Sequence, residues 1–290
     1  MGWRDRESHK IHLKITPLMP ILDTGAGRIF RGKALELLGS PIKGDAVEAR
    51  LEALARRHAK AENLGLQLLN AIGGSAGALL DRLPVEIRDR MDGAAAEALR
   101  VSMEAAHTSR KVVSGQPGWL NVAVTTAMGA AGGLGGLPTA MAELPLTTTI
   151  LLRAIQDVAE EHGFDPAEDG VKFDCIQVFA AAGPLDPGEN PDLAFLSTRV
   201  AVTGTTVQAL IARVAPRLAT VLGQKLAAQT VPVLGAAAGA VTNYAYTSYY
   251  QQMAHVHFGL RRLAVEADRD HAELVAELRE RITQPPVKKA

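Results

Sequence analysis

Two long stretches without charged residues dominate the pattern of hydrophobic and polar positions along the chain. Residues 112–142 and residues 226–260 contain no Asp, Glu, Lys or Arg. Glycines recur four residues apart within both stretches, a spacing that lets two helix backbones approach closely. The pattern predicts two central, neighbouring helices, over residues 119–134 and 233–250, that pack through their glycines. The glycines assigned to this contact are Gly129, Gly133, Gly235 and Gly239.

Apolar residues elsewhere in the first half recur three and four apart, which is the pattern of amphipathic helices. We expect one such helix from Asp45, with a break at residues 63–65, and a second run over residues 66–83. A long helix of mixed charge should follow Pro84, because proline suits the first turn of a helix. The inward-facing residues of that helix should be Ile87, Met91, Leu99 and Met103.

Glycine and proline mark the helix boundaries expected in the second half. Gly163 should end the helix that follows the first uncharged stretch, because glycine suits the left-handed conformation after a last turn. Pro216 should start a new segment, and a last, highly charged helix should run over residues 261–282. A short helix is expected over residues 171–181, where Val171, Cys175, Val178 and Phe179 share one apolar face.

No internal repeat of fixed period and no clear domain boundary divide the chain. Aromatic residues make up only 4% of the sequence, and β-branched residues rarely alternate with polar ones, which argues against a sheet. We therefore predict an all-α fold with a flexible N-terminal segment over residues 1–17, one multi-helix domain over residues 18–283, and a C-terminal tail over residues 284–290. The domain is built around the two apolar, glycine-spaced helices.

The composition of the chain argues against some classes of protein and favours others. A formal net charge of zero argues against a nucleic-acid binder, which needs a basic surface to neutralise phosphates. Residues 1–111 carry 18 basic and 14 acidic residues, a slight positive excess that favours acidic surfaces. Cys175 is the only cysteine, so no internal disulfide forms, and its apolar helix face suits a packing role. The charged first fifteen residues lack the apolar core of a signal peptide, which predicts a cytoplasmic protein.

Three patterns resemble catalytic or metal-binding motifs, and the context argues against each. Ser75 lies in a Gly-x-Ser-x-Gly pattern, but helical sequence flanks it, whereas a nucleophile elbow needs a strand before the serine. Residues 27–34 nearly match a phosphate-binding loop, but Ala34 replaces the hydroxyl residue that holds magnesium. His255 and His257, two residues apart on a helix, point in different directions and lack further ligands nearby. We expect no metal and no cofactor.

A single carboxylate, Glu143, follows the first uncharged stretch, and Arg153 and Asp157 lie one helical turn apart beyond it. An ionised carboxylate in apolar surroundings is unfavourable unless it is paired or hydrogen-bonded. The favoured interpretation is a structural network in which Arg153 pairs with Asp157 or reaches Glu143. The alternative makes Glu143 a general acid or base, or a polar anchor for a bound head group.

Tyrosines and arginines lie within and just after the second uncharged stretch. Tyr244 opens a cluster of four tyrosines, whose apolar rings and polar ends suit a core boundary or a membrane interface equally well. Arg261 and Arg262 form either surface ion pairs or an anion site at the end of the apolar helix. Tyr244, Arg261 and Arg262 are therefore candidate contacts for an anion or a lipid head group.

Two segments carry a family resemblance. Residues 136–163, followed by VFAAAGP at residues 178–184, combine a glycine-rich run with Leu-Pro and Glu-Leu-Pro. The second segment, residues 231–263, contains Asn243-Tyr244, His257-Phe258 and Arg261-Arg262-Leu263. Together the segments resemble the EcsC family, bacterial proteins associated with an ABC transporter operon, over about residues 44–268. The resemblance implies a helical protein associated with membranes and brings no settled biochemical activity.

Three hypotheses about function follow. The favoured one is a peripheral membrane or lipid-binding protein on the inner face of the cell membrane. It would partition onto anionic membranes without spanning them, because prolines and glycines interrupt its apolar stretches. The second hypothesis is a soluble enzyme of hydrolase type centred on Glu143. The third is a helical interaction protein that regulates a membrane transporter complex.

Overall fold

The computed structural model describes residues 41–72, 78, 80–112, 120–128, 144–180, 196, 207–229 and 236–283. Throughout these ranges the chain forms helices joined by turns, without a strand, which confirms the all-α prediction. The segments 1–17 and 284–290 lie outside the described residues. The helices are α1 (Asp45–Ile72), α2 (Val85–Arg88), α3 (Met91–Val112), α4 (residues 120–128), α5 (Leu144–Glu161), α6 (Asp169–Ala180), α7 (Val207–Gln229), α8 (Ala236–Glu266) and α9 (His271–Thr283).

The core forms around α8, which packs against α1, α5, α6, α7 and α9. Its inward side chains are large, and Tyr246, Tyr250 and Phe258 are fully buried. The ring of Tyr250 meets the ring of Phe179 on α6 edge-on, with centroids 5.1 Å apart. Aromatic burial of this kind contributes strongly to the stability of a core. The second uncharged stretch therefore supplies the central helix of the described fold.

The end of α8 differs from the prediction of a separate last helix starting at residue 261. α8 continues past that position to Glu266, because Leu263 and its neighbours are buried in the core. The chain then turns at Asp268, which adopts a left-handed φ of 51°. Asp270 starts α9, since its Oδ1 atom accepts a hydrogen bond of 2.7 Å from the backbone N–H two residues later.

α1 runs antiparallel to α8. The backbone N–H of Ile42, just before α1, donates to the carbonyl of Glu266 at the end of α8 over 3.0 Å. Further along α1, Arg57 donates from Nη1 to Oε1 of Gln252, also over 3.0 Å. Both helices rise by about 1.5 Å per residue. This register places Leu66, farther along α1, level with the first turns of α8.

The break predicted in α1 at residues 63–65 is wrong. α1 runs through Gly65 without interruption. A glycine inside a helix costs about 1 kcal/mol relative to alanine. Ala61 and Leu68, on either side, are buried in the core at 0% and 2% exposure. Burial of the two flanking turns outweighs the helix-breaking tendency of the glycine.

The start of a new segment predicted at Pro216 is also wrong, because Pro216 lies inside α7. Proline in a helix interior removes one backbone hydrogen bond and costs about 3 kcal/mol. Val214 and Leu218 on either side are buried, so the turns before and after the proline are both anchored in the core. Burial of these two turns in the core therefore stabilises one continuous helix, although the local pattern predicts two.

Other predicted boundaries agree with the structure. Gly163 has a φ of +85° and ends α5, which confirms its role as a C-cap. The helix predicted after Pro84 is present but divided, since α2 ends at Arg88 and α3 begins at Met91. Met91 and Leu99 are buried, and Ile87 and Met103 pack partly buried against the core. The predicted face of α6 is buried throughout, at Val171, Cys175, Val178 and Phe179.

Candidate functional site

α4 is attached to the rest of the protein by buried polar contacts. Asn121 donates from Nδ2 to Oδ2 of Asp157 on α5 over 2.8 Å. The hydroxyl of Thr125 lies 2.7 Å from the hydroxyl of Thr247 on α8. Asn243, one turn earlier on α8, donates to the backbone carbonyl of Thr125 over 2.7 Å. The two uncharged stretches therefore do supply neighbouring helices, and the contact between them in the described residues is polar.

The outward side of α4 is apolar. Ala123, Val124 and Ala127 are exposed to solvent, whereas Asn121 and Thr125 are buried. A surface helix of a water-soluble bundle normally shows the opposite arrangement, with apolar residues inward and polar residues outward. α4 is thus an inverted amphipathic helix.

Arg153 and Asp157 extend the polar contacts of α4 along α5. Nε of Arg153 lies 4.0 Å from Oδ2 of Asp157, and both side chains are buried. Asp157 also accepts the hydrogen bond from Asn121. The pair therefore links α5 to α4, as a structural network would. Glu143, the third residue of the predicted network, lies outside the described residues, so its role as a catalytic or binding group stays a prediction.

A histidine pair joins the end of α5 to α8. Nε2 of His162 lies 3.1 Å from Nδ1 of His255, within hydrogen-bond distance. Burial, followed by the neighbouring His255 and three nearby arginines, lowers the pKa of His162 to about 3. Burial and the nearby Arg57 lower the pKa of His255 to about 4. Both rings are neutral at pH 7, so one donates to the other and the pair acts as an interhelical contact.

Glu161 lies beside the histidine pair. Its Oε2 atom is 3.9 Å from Nε2 of His255. Burial and the negative charge of Asp157 raise the pKa of Glu161, while Arg57 partly opposes that rise. Within the ranges that the structure describes, no group of three or more His, Cys, Asp or Glu side chains is placed to hold a metal ion.

Arg261 and Arg262 both form ion pairs. Arg261 pairs with Asp174 on α6, and its guanidinium carbon lies 4.7 Å from the ring centre of Phe164. Nε of Arg262 donates to Glu266 over 2.6 Å. His257, the second histidine of the candidate metal pair, is buried, and its Nε2 atom lies 3.6 Å from Oδ1 of Asp174. Burial lowers the pKa of His257 to about 4.

Tyr244 and Arg261 do not form one surface. They lie 17 positions apart on the continuous helix α8, which separates them by about 25 Å along its axis. Tyr244 is 47% exposed, while Arg261 is largely covered by its partners. The structure therefore does not bring the three candidate head-group residues together, and contact of Arg261 or Arg262 with an anion stays a prediction.

Several apolar side chains are exposed on helices that reach the level of Tyr244 along α8. Val241 lies one turn before Tyr244 on α8 and is also exposed. α4 reaches this level through the contacts of Thr125 with α8, and α1 reaches it through its antiparallel register. We call the following exposed side chains the uncharged end: Leu66, Ala123, Val124, Ala127, Val241 and Tyr244.

Charged residues are absent from the sequences that form the uncharged end. Residues 63–80, 112–142 and 226–260 contain no Asp, Glu, Lys or Arg. The opposite end, where α1 starts and α8 stops, carries ion pairs between α1, α8 and α9. We call this second surface the charged end, defined by Glu48, Arg50, Arg262, Glu266, Arg269, Glu277 and Arg281. Along α1 and α8 the charged residues are therefore concentrated toward the charged end.

Only one of the remaining candidate residues lies within the described ranges. Gly239 is a buried residue of α8, whereas Gly129, Gly133 and Gly235 lie outside the described residues, so packing through glycines stays a prediction. Ser75 also lies outside them. Among the helices that the structure describes, none combines the length and apolar character needed to cross a bilayer.

Sequence reasoning missed the inward polar face of α4 and the histidine pair. Asn121 and Thr125 stand four apart in an otherwise apolar run, as Asn243 and Thr247 do on α8. That shared spacing is a signal for two polar faces that meet, and it was available in the sequence. The partnership of His162 with His255 had no such signal, because 93 positions separate them.

The described residues form an all-α protein whose helices make buried polar contacts and whose uncharged end carries exposed apolar side chains. The chain belongs to the EcsC protein family, whose sequence model matches residues 88–263, more than half of the chain. The match starts at the end of α2 and closes in α8, so it includes the inverted helix, the histidine pair and both arginines. Comparison of the chain with curated proteins and with solved structures gives no match.

Proposed function

We propose that this protein is a peripheral membrane protein that binds a lipid bilayer through its uncharged end. The observation that carries the proposal is the inverted helix α4, whose apolar side chains face outward at the level of the first turns of α8, where Val241 and Tyr244 are also exposed. An apolar surface without charged residues is unfavourable in water and favourable in the acyl region of a bilayer.

The size of the apolar surface supports reversible binding. Leu66, Val124, Val241 and Tyr244 are each between 41% and 47% exposed. Full burial of a large apolar side chain contributes about 1.5–3 kcal/mol, so insertion of the exposed part recovers about 1 kcal/mol for each. Four such side chains give about 4 kcal/mol, which corresponds to a millimolar dissociation constant. Tyr244 adds a hydroxyl that suits the head-group region.

Lipid explains the uncharged end better than a protein partner does. Protein interfaces surround an apolar centre with a polar rim and are enriched in arginine. The stretches of α1, α4 and α8 that carry the exposed apolar residues contain no charged residue. The interior of the same region also has the interhelical Thr–Thr and Asn–carbonyl hydrogen bonds that hold helices together in membranes.

Co-flotation with liposomes tests the proposal, and two identical substitutions provide a matched pair. Ala127→Glu puts a charge on the exposed face of α4 at the uncharged end. Ala276→Glu puts the same charge on an exposed position of α9, next to the charged end. We expect Ala127→Glu to reduce flotation at least tenfold, because an inserted carboxylate costs more than 1.4 kcal/mol. Ala276→Glu should float as the wild type does.

The controls separate loss of binding from loss of folding. Circular dichroism and size-exclusion chromatography should show both variants to be helical and monodisperse. Absence of flotation by the wild type, or equal flotation of the two variants, would overturn the proposal. Retention of the protein on membranes only when a transporter complex is present would favour the interaction hypothesis instead.

A further inference from the structure

α7 and α8 pack as an antiparallel pair whose register is set by a buried hydrogen bond. The hydroxyl of Tyr246 on α8 donates to the backbone carbonyl of Val221 on α7 over 3.2 Å. Burial raises the pKa of Tyr250, as do two neighbouring tyrosines, and the charge of Arg217 opposes the rise. Arg217 lies one turn before Val221 and Tyr250 one turn after Tyr246, so the two helices run in opposite directions.

Buried polar atoms without a partner meet about one turn from this hydrogen bond. Gln224 lies three positions after Val221, and Asn243 lies three positions before Tyr246, so the antiparallel register places them at the same level. Oε1 of Gln224, Oδ1 of Asn243 and the hydroxyl of Thr242 have no hydrogen-bond partner among the described residues. All three side chains are at most 3% exposed. Such atoms are unfavourable in a protein interior unless something else bonds to them.

These side chains lie on the sides of α7 and α8 that face each other. A helix turns by about 100° per residue, so Gln224 lies about 60° to one side of Val221 and Lys225 about 40° to the other. Residues 242–243 flank Tyr246 in the same way on α8. We call the following side chains the polar seam: Gln224, Lys225, Thr242, Asn243, Tyr246 and Tyr250.

The charge carried by the two helices at the polar seam is positive. Residues 193–265 contain six Lys and Arg residues and no Asp or Glu. Lys225 is 1% exposed within the seam, and Arg217 is exposed on the turn of α7 that lies level with Tyr250. An oxyanion between these helices is therefore favoured over a cation.

The neutral atoms of the seam add a second requirement. The amide oxygens of Gln224 and Asn243 can only accept hydrogen bonds, so they need a ligand that donates. The hydroxyl of Tyr250, which is fully buried without a partner among the described residues, can donate to an oxyanion. Asn243 and Tyr250 are seven positions apart, about 10 Å along α8, so the seam is long enough for a ligand with two different ends.

We infer that the polar seam binds a small phosphorylated polyol, of which glycerol 3-phosphate is the simplest example. The polyol hydroxyls donate to Gln224 and Asn243, and the phosphate accepts from Tyr250 on the side of Arg217. The same chemistry occurs in a free metabolite and in the head group of phosphatidylglycerol. The site lies between α7 and α8 and is separate from the outward face of α4, so the inference does not depend on the proposed function.

Thermal unfolding with added glycerol 3-phosphate tests the inference. For the wild type we expect the melting temperature to rise by about 3–6 °C at a ligand concentration ten times the dissociation constant. Glycerol alone and inorganic phosphate alone, at the same concentration, should each raise it less than half as much. No rise with glycerol 3-phosphate would overturn the inference, and an equal rise with inorganic phosphate would show an adventitious ion only.

Two variants distinguish a ligand site from a structural contact. Gln224→Leu and Thr242→Val each remove a buried polar atom that has no partner among the described residues, so the melting temperature without ligand should stay the same or rise. The rise caused by glycerol 3-phosphate should be lost in both. Thr220→Val, at an exposed position of α7, is the control and should keep it. Retention of the rise in both seam variants, or a lower melting temperature of both without ligand, would overturn the inference.

Flotation distinguishes the lipid source of the ligand from the free one. If the seam takes a lipid head group, the wild type should float better with phosphatidylglycerol liposomes than with phosphatidylcholine liposomes, and glycerol 3-phosphate should abolish the difference. If the seam takes a free ligand, flotation should be equal and the rise in melting temperature should persist. Ala127→Glu should leave that rise unchanged, so failure of membrane binding and failure of the seam are separate results.

Discussion

The hydroxyl of Thr125 on α4 and the hydroxyl of Thr247 on α8 lie 2.7 Å apart in the buried interior. Neither residue is charged, and both come from sequence stretches that contain no charged residue. The contact shows that two helices without charged residues can still pack through polar side chains. It directs the polar face of α4 inward and leaves the apolar face of α4 at the surface.

Thr125→Val should destabilise the fold, because valine keeps the shape of threonine and removes the hydroxyl that meets Thr247. The loss should be about 0.5–1.5 kcal/mol, the net contribution of one hydrogen bond, because the hydroxyl of Thr247 still donates to the carbonyl of Asn243 over 2.8 Å. The double variant Thr125→Val/Thr247→Val should lose less than the sum of the two single losses, since each single substitution already removes the contact between the hydroxyls. Urea unfolding of the wild type, both single variants and the double variant measures the coupling. If the losses in unfolding free energy of the two single variants add up to the loss of the double variant, the two hydroxyls are not in direct contact.

Asp157→Ala should lower the stability of the fold more than Thr125→Val does. It removes the buried carboxylate that accepts from Asn121 and lies 4.0 Å from Arg153. Breaking a buried ionic contact from one side costs about 3–5 kcal/mol. Asp157→Asn keeps the size and one carbonyl oxygen and should be less damaging. Thermal unfolding compares the two variants. Equal melting temperatures for Asp157→Ala and the wild type would refute the structural role of Asp157.

Gly259 on α8 and Gly93 on α3 should respond in opposite directions to alanine. A Cβ atom at Gly259 would lie 2.7 Å from Cδ2 of Leu54 on α1, whereas a Cβ at Gly93 meets nothing within 4 Å. Because the end of a leucine side chain can shift, Gly259→Ala should cost about 1 kcal/mol and Gly259→Leu about 1–3 kcal/mol. Gly93→Ala should stabilise by about 0.5–1 kcal/mol. Chemical denaturation tests both signs.

Stability should fall as the pH falls from 7.5 to 5.5. Burial lowers the pKa of His58, His255 and His257 to about 4 and that of His162 to about 3, against 6.5 in the unfolded chain. The unfolded state therefore binds protons in this range that the folded state does not, and each histidine costs about 1 kcal/mol. The raised pKa values of Glu62, Glu161 and Glu168 act in the opposite direction, because a carboxyl with a raised pKa binds its proton more readily in the folded state.

Urea unfolding at the two pH values measures the effect, and His58→Gln provides the control. That variant removes one buried histidine, so its stability should depend on pH less steeply than that of the wild type. A stability that is unchanged or greater at pH 5.5 would show that these histidines are accessible to protons in the folded state.

The sequence by itself determined the features that depend on neighbours along the chain. The spacing of apolar residues was sufficient for the all-α class and for the buried face of α6, and Gly163 was recognisable as a helix end because only a left-handed residue fits there. The motifs of residues 136–163 and 231–263 were sufficient for the family. These signals are local, and each is repeated over several residues.

Only the tertiary structure decided which surfaces these helices share. Pro216 stays inside α7 and Gly65 inside α1 because burial of the flanking turns exceeds a local preference of about 1–3 kcal/mol. The separation of Tyr244 from Arg261 follows from the unbroken length of α8. The contact of Thr125 with Thr247 joins positions 122 residues apart: the spacing of the polar residues marks a polar face on each helix, but only the packing of whole helices decides that these two faces meet.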